Sequence, residues 1–334
     1  MRIPLNPPGG KLPAARSLID IFECMYLIRT TEEAIAERYA EGKMRCPTHL
    51  STGQECPAAV MSVLLEHEHD QAVSTHRAHA HYLAKGGDPG KLIAELYGKA
   101  TGCSGGYGGS MHLIDQACGF MGSTAIVGGS IPVGVGLALA KKIRAEPGLV
   151  VVYLGDAAVE EGSFYESANF AALHNLPLCF FCENNGYSVY SPLDKRQPGG
   201  RRIHEMVRAI GIPAWSGNGN DVLETCCICN EAITRLREQG GPIFVELHTW
   251  RWREHCGPEC DDHLAYRPCD ANRMWRSRDP LVWLERHLLQ RKHVTQEQLT
   301  ANKRSIDERV QHAFTFAEAS TFPDTKLAES RVFA

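Results

Sequence analysis

The chain of 334 residues has no internal repeat, no low-complexity tract and no apolar run near the roughly 18 residues that a membrane span requires. Those absences argue against a membrane-spanning helix, a solenoid and a disordered linker protein. An excess of one charge is missing too. Lys and Arg number 35 against 39 Asp and Glu, for a formal charge of -4. The basic residues are scattered, so neither nucleic acid nor a membrane surface is expected as a partner. Residues 1–16 lack the apolar centre of a secretion signal and the Arg-rich amphipathic pattern of a transit peptide. Pro4, Pro7, Pro8, Gly9 and Gly10 break any helix there. The sequence thus predicts an irregular arm over 1–16, one domain over 17–334 and a cytoplasmic protein. The 13 cysteines are expected as reduced thiols.

From Ala15 to Glu41 the apolar positions Leu18, Ile21, Phe22, Met25 and Tyr26 recur at helical spacing, and Gly42 ends the helix. Further on, the apolar runs Val150–Leu154, Leu178–Cys182 and Ile243–Leu247 read as strands, with a helix over Glu161–His174 between the first two. Strands apolar on both faces and separated by helices form buried parallel sheets, and such sheets bind ligands beyond their carboxyl ends. A doubly wound α/β domain with helical additions at both ends follows.

All three strand ends carry polar residues suited to chemistry. Gly155-Asp156 and Asn184-Asn185 lie about one βαβ repeat apart, roughly thirty residues, which places a carboxylate and a carboxamide on adjacent strands. Hard oxygen donors of low total charge suit Mg²⁺, and the Tyr187 carbonyl could add a third. Taken alone, these pairs read better as two ordinary turns. His76-Arg77-Ala78-His79 offers a guanidinium that can grip a phosphate through two hydrogen bonds. The glycine-dense run Gly102 to Gly109 implies backbone held against a ligand or another chain. Arg251, Arg253 and His255 put three potential cations past the last strand.

The order and content of these segments resemble the thiamine-diphosphate signature. In particular, they are similar to α subunits of the 2-oxo-acid dehydrogenases for pyruvate, branched-chain 2-oxo acids and acetoin. The segment 155–166 through Glu183-Asn184-Asn185-Gly186-Tyr187 carries the resemblance, with Arg29–Ala34, His49–Glu55, Thr75–His79, Gly109–His112, Ile126–Gly128 and Ser277–Pro280 in the same order. The resemblance implies a thiamine-diphosphate-binding fold. It implies Asp156, Asn185 and the Tyr187 carbonyl as Mg²⁺ ligands. His76, Arg77, His79, His255 and the backbone of Gly155, Ala157 and Ala158 would hold the cofactor, Val127 would face its aminopyrimidine, and His49 would stand with His255 among the catalytic residues.

The glutamate that starts the proton relay in such enzymes sits on a separate pyrimidine-binding domain, for which this chain has no room. The resemblance therefore implies a β subunit, an α₂β₂ assembly, a 2-oxo-acid substrate and a lipoyl acyltransferase as a further partner. Two departures stand out. Ala157 replaces the second glycine of the usual Gly-Asp-Gly, and 253–261 lacks the serines of the family's loop while keeping His255. The altered loop keeps open a non-oxidative carboligase or ketol transferase, and a catalytically inactive scaffold subunit is a further alternative. His255, Cys256, Cys260 and His263 could also be read as a zinc set, and a Cys/His hydrolase as a further enzyme class.

Overall fold

The computed structural model describes residues 14–268 and 270–327, so most of the 1–16 arm lies outside the described residues. The first helix spans Ala15–Arg38 and takes in the last two residues of that arm. It buries Leu18, Ile21, Phe22, Met25 and Ile28 on one side, and a short 3₁₀ turn carries it to Gly42 at φ +68°. That left-handed terminus costs glycine nothing and any other residue a strained backbone.

Six strands make one parallel sheet: β1 Gln71–Ser74, β2 Phe120–Ser123, β3 Val150–Gly155, β4 Leu178–Asn184, β7 Ala214–Asn218 and β8 Ile243–His248. A short antiparallel hairpin, β5 Tyr187–Ser188 with β6 Ser191–Pro192, follows β4. The sheet order is β2-β1-β3-β4-β8-β7. Alternation along the strands builds a core on each face. Val151, Tyr153, Cys179, Phe181 and Val245 pack under helices Ala15–Arg38, Glu55–Ser62 and Val222–Gln239. Val150, Val152, Phe180, Cys182 and Phe244 pack under helices Ser130–Arg144, Gly162–Leu173 and Ile203–Ala209. Burying each such phenylalanine contributes about 1.5–3 kcal/mol, and β4 is buried at every position. A third cluster seats Val310, Phe314 and Ala317 of helix Gln296–Ala319 on Ile93 and Leu96. Among the described residues no helix is long and apolar enough to cross a membrane.

This arrangement fixes where a ligand can sit. The chain leaves β1 for β2 on one side and places β3 on the other, so the connections diverge at the β1–β3 crevice. Such a switch point opens a cleft at the carboxyl ends of the strands. Register then sets Gly155 opposite Glu183, and Asn184 opposite His248, along that edge.

The glycine-dense run turns out to enclose a group of the chain itself. The backbone amides of Ser104, Gly106, Gly108 and Gly109 donate to the Glu95 carboxylate at 2.6–3.3 Å, and Glu95 is fully buried. A Cβ on Gly102 would lie 2.3 Å from Glu95 Oε2, and one on Gly108 would lie 1.9 Å from the His112 carbonyl oxygen. The expectation of an external ligand at this loop is therefore corrected: the anion that gathers its amides is Glu95. Glu95→Gln removes the charge from four hydrogen bonds, and a charged bond is worth about 1.5–3 kcal/mol. Its melting temperature in scanning calorimetry should fall by several degrees. An unchanged melt would show that the loop does not depend on the carboxylate.

Candidate functional site

One pocket opens at the β1–β3 switch point. Its wall takes His76 and Arg77 from the turn after β1, and Gly155, Asp156, Ala157 and Ala158 from the end of β3. Asn185 and Tyr187 come from the turn after β4, Val127 from the segment before helix Ser130–Arg144, and His255 from the loop after β8. Residues from strand ends far apart in sequence are thus brought into one cleft by parallel strands that end in register. His49 is buried behind this wall, with its ring centroid 4.6 Å from that of His76 and 5.1 Å from that of His255.

His79 does not line the pocket. It is fully buried, with Nδ1 2.9 Å from Glu32 Oε1 and Nε2 2.8 Å from Ser110 Oγ. The amide of Ser51 donates to the other Glu32 oxygen at 2.8 Å. His79 therefore braces the first helix against the segment carrying His49, and its place among cofactor contacts is corrected. The periodicity of the sequence could not separate it from His76, because both follow the same strand.

Arg77 is the centre of the site's electrostatics. Its guanidinium donates to the carbonyls of Leu50 and His255, and among the described residues no carboxylate lies within ion-pair distance of it. Burial, reinforced by Arg251 and only partly offset by the Glu32 and Glu183 carboxylates beyond ion-pair distance, lowers its pKa to about 9. A buried cation without a directly paired carboxylate is costly unless an anion joins it. Around it, burial together with the Arg77 charge lowers His49 to about 2, His76 to about 4 and His255 to about 3. Near neutral pH all three rings are uncharged, and His49 Nδ1 is buried without a hydrogen-bond partner.

A fall in pH exposes this arrangement. An imidazole whose folded pKa lies below the unfolded value of 6.5 gains no proton in the fold while the unfolded chain takes one up. Its stabilising contribution is complete above about pH 6.5 and is lost as pH falls toward its folded pKa, near 4 for His76. The melting temperature should therefore drop between about pH 6.5 and 4, and His76→Asn should flatten that slope. Equal slopes for the two proteins would contradict the placement of His76.

The Mg²⁺ expectation meets a suitable donor set. Asp156 is 2% exposed, and burial outweighs the effect of the neighbouring Arg196 to raise its carboxyl above the usual range. The Arg196 guanidinium pairs with Asp156 and with Glu160. Asn185 Oδ1 accepts from the Tyr187 amide at 3.1 Å, whereas Asn184 turns into the sheet to donate to Glu246 at 2.8 Å. Carboxylate, carboxamide and backbone carbonyl are the oxygen donors that Mg²⁺ takes, and Arg77, which has no paired carboxylate, fits the diphosphate that would complete its shell.

A scan against family models matches the dehydrogenase E1 component over residues 23–326. The pyruvate dehydrogenase E1 component subunit alpha of Rickettsia conorii is 34% identical over 325 residues, covering 97% of this chain and 98% of that one. The corresponding Zymomonas mobilis subunit is 35% identical over 321 residues, covering 96% and 89%. The chloroplastic alpha-3 subunit of Arabidopsis thaliana is 34% identical over 322 residues, covering 95% and 74%. The chain belongs to the dehydrogenase E1 component family, among its α subunits.

In this E1 chain the cations after β8 do different work. Arg251 is buried against Tyr266 and Asp261, and Arg253 pairs with Glu33, so only His255 reaches the pocket wall. The altered loop is stitched down by Gly257 N donating to Thr48 O at 2.8 Å and Glu254 N to Glu259 O at 2.9 Å. Cys256 and Cys260 are exposed. The zinc set of His255, Cys256, Cys260 and His263 is not assembled. Among the described residues, the one group of such side chains close enough to share an ion is His49, His76 and His255, with ligand atoms within 4.8 Å of one another. Arg77 beside them favours an anion there. Cys179, Cys182, Cys226, Cys227 and Cys229 are buried packing residues, as small hydrophobes are.

The sequence reading missed Arg196 and the pair His81–Glu183, which also lines the pocket, with His81 Nε2 3.1 Å from Glu183 Oε1 and Nδ1 2.7 Å from Ser74 Oγ. Glu183 could have been found as the neighbour of Asn184 at a strand end. Arg196 carries no local signal.

Proposed function

We propose that this E1 α subunit binds thiamine diphosphate and Mg²⁺ in the β1–β3 pocket and, with a β subunit, decarboxylates a 2-oxo acid and passes the acyl group to a lipoyl acyltransferase. The observation that carries the reading is Arg77: a buried guanidinium without a carboxylate partner, sharing one pocket with the oxygen donors Asp156, Asn185 and Tyr187. Thiamine diphosphate, when bound, would supply a carbon nucleophile for the 2-oxo group and an electron sink for the bonding pair left behind when CO₂ departs.

The chain's own residues have narrower tasks. Arg77, His76 and His255 hold the diphosphate end, aided by the backbone of Gly155, Ala157 and Ala158. Asp156, Asn185 and the Tyr187 carbonyl hold the metal. His255 lines the pocket and His49 stands behind it, and both rings, uncharged near neutral pH, can offer or accept hydrogen bonds there without adding a second cation beside Arg77. Val127, which lines the pocket, and its neighbour Ile126 are 44% and 69% exposed. An apolar rim of this kind suits a partner subunit, which would bring the pyrimidine-binding domain in an α₂β₂ assembly.

A tagged pull-down from native cells, followed by mass spectrometry and an assay of 2-oxo-acid oxidation, tests this. A β-like subunit and a lipoyl acyltransferase should co-purify, with pyruvate the first acid to try, given the names of the relatives. A β-like subunit whose purified complex uses no lipoyl acceptor would overturn the oxidative reading in favour of a carboligase.

A further inference from the structure

Arg196 is placed where two requirements of the metal site meet. It closes the short helix Leu193–Arg196, directly after the hairpin that follows Asn185 and begins at Tyr187. Its guanidinium bridges Asp156 and Glu160, and its Nε donates to the Ser191 carbonyl at 3.2 Å. The side chain is 11% exposed and that of Asp156 is 2% exposed. The atom it engages, Asp156 Oδ2, belongs to the carboxylate assigned to the metal. A monovalent cation and a divalent one beside the same buried carboxylate repel each other.

We infer that Arg196 is a placeholder cation: it competes with the divalent ion for Asp156, and metal binding moves its guanidinium onto Glu160 alone. The inference rests on the reading of Asp156 as a metal ligand. The hairpin does not depend on Arg196 to stay in place. Gln197 Nε2 also donates to Glu160 at 2.8 Å, Leu193 N donates to the Gly186 carbonyl at 2.9 Å, and Gln197 N to the Leu193 carbonyl at 2.9 Å. Removing the guanidinium therefore relieves the competition and leaves the neighbouring ligand segment tethered. Removing the Glu160 charge has the opposite effect, because the guanidinium then has Asp156 as its remaining carboxylate.

The test is Mn²⁺ binding to the full chain, purified with whatever subunits accompany it. Free Mn²⁺ is followed by electron paramagnetic resonance with thiamine diphosphate present. Arg196→Met should tighten Mn²⁺ binding about tenfold and Glu160→Gln should weaken it, whereas a purely structural role for Arg196 would weaken binding in both. Arg196→Gln repeats the first arm with a smaller change of shape. Unchanged or weaker binding in both Arg196 variants, with Asp156→Asn still abolishing it, overturns the competition and leaves the metal assignment standing. Binding that survives Asp156→Asn in both the wild-type and Arg196→Met backgrounds removes the metal assignment, and the placeholder with it.

Discussion

Asp156→Ala should abolish Mg²⁺-dependent binding of thiamine diphosphate, a loss of at least a hundredfold in affinity, while the fold survives. The carboxylate is buried at the end of β3 and faces the turn that carries Asn185 and Tyr187. Mg²⁺ demands near-octahedral oxygen ligation and usually takes one or two carboxylates plus substrate phosphates. Removing the single carboxylate of a low-charge set therefore removes most of the attraction. Stability should change little or rise, because a buried carboxyl with a raised pKa is already poorly solvated. The counter-effect is that Arg196 keeps only Glu160 as a carboxylate partner. Calorimetric titration with and without Mg²⁺ checks the prediction, and unchanged affinity would remove Asp156 from the site.

Arg77→Ala should weaken diphosphate binding by about 1.5–3 kcal/mol, the range for a hydrogen bond to a charged group. That is roughly tenfold to 150-fold in affinity. The same substitution relieves a buried charge that has no paired carboxylate, so the empty protein should be no less stable and the loss should appear only when the anion is present. Inorganic pyrophosphate is the simplest probe, since it carries the charge without the thiamine. A substitution that weakens thiamine diphosphate and leaves pyrophosphate unaffected would place Arg77 away from the phosphates.

What the sequence made legible follows from burial. The strands β3, β4 and β8 are apolar on both faces because helices cover both sides, and such runs stand out. β2 and β7 form the two edges of the sheet. β2 buries only Phe120 and β7 only Ala214, so neither produces an apolar run. The fold class could be read from the central strands, while the strand order and the switch point could not. At the site, residues adjacent to strand ends were legible, since a parallel sheet delivers them to one edge. Orientation was not. His76 and His79 share one short segment, yet one lines the pocket and the other is locked between Glu32 and Ser110. The glycine-dense loop gave the right physical signal, backbone held close against another group, and the wrong source, because that group is Glu95, which lies outside the segment and which only tertiary structure brings in. Arg196 was invisible for the same reason: its partners lie 36 and 40 residues away.

The central claim is that the β1–β3 pocket is a thiamine-diphosphate site completed by a partner subunit. The most direct measurement is calorimetric titration of thiamine diphosphate into this chain alone and into the complex co-purified with it, each with Mg²⁺ and with chelator. The account predicts Mg²⁺-dependent binding at one site per chain in the complex, and weak binding to the chain alone. Absence of binding to the complex, or binding indifferent to Mg²⁺, would contradict it.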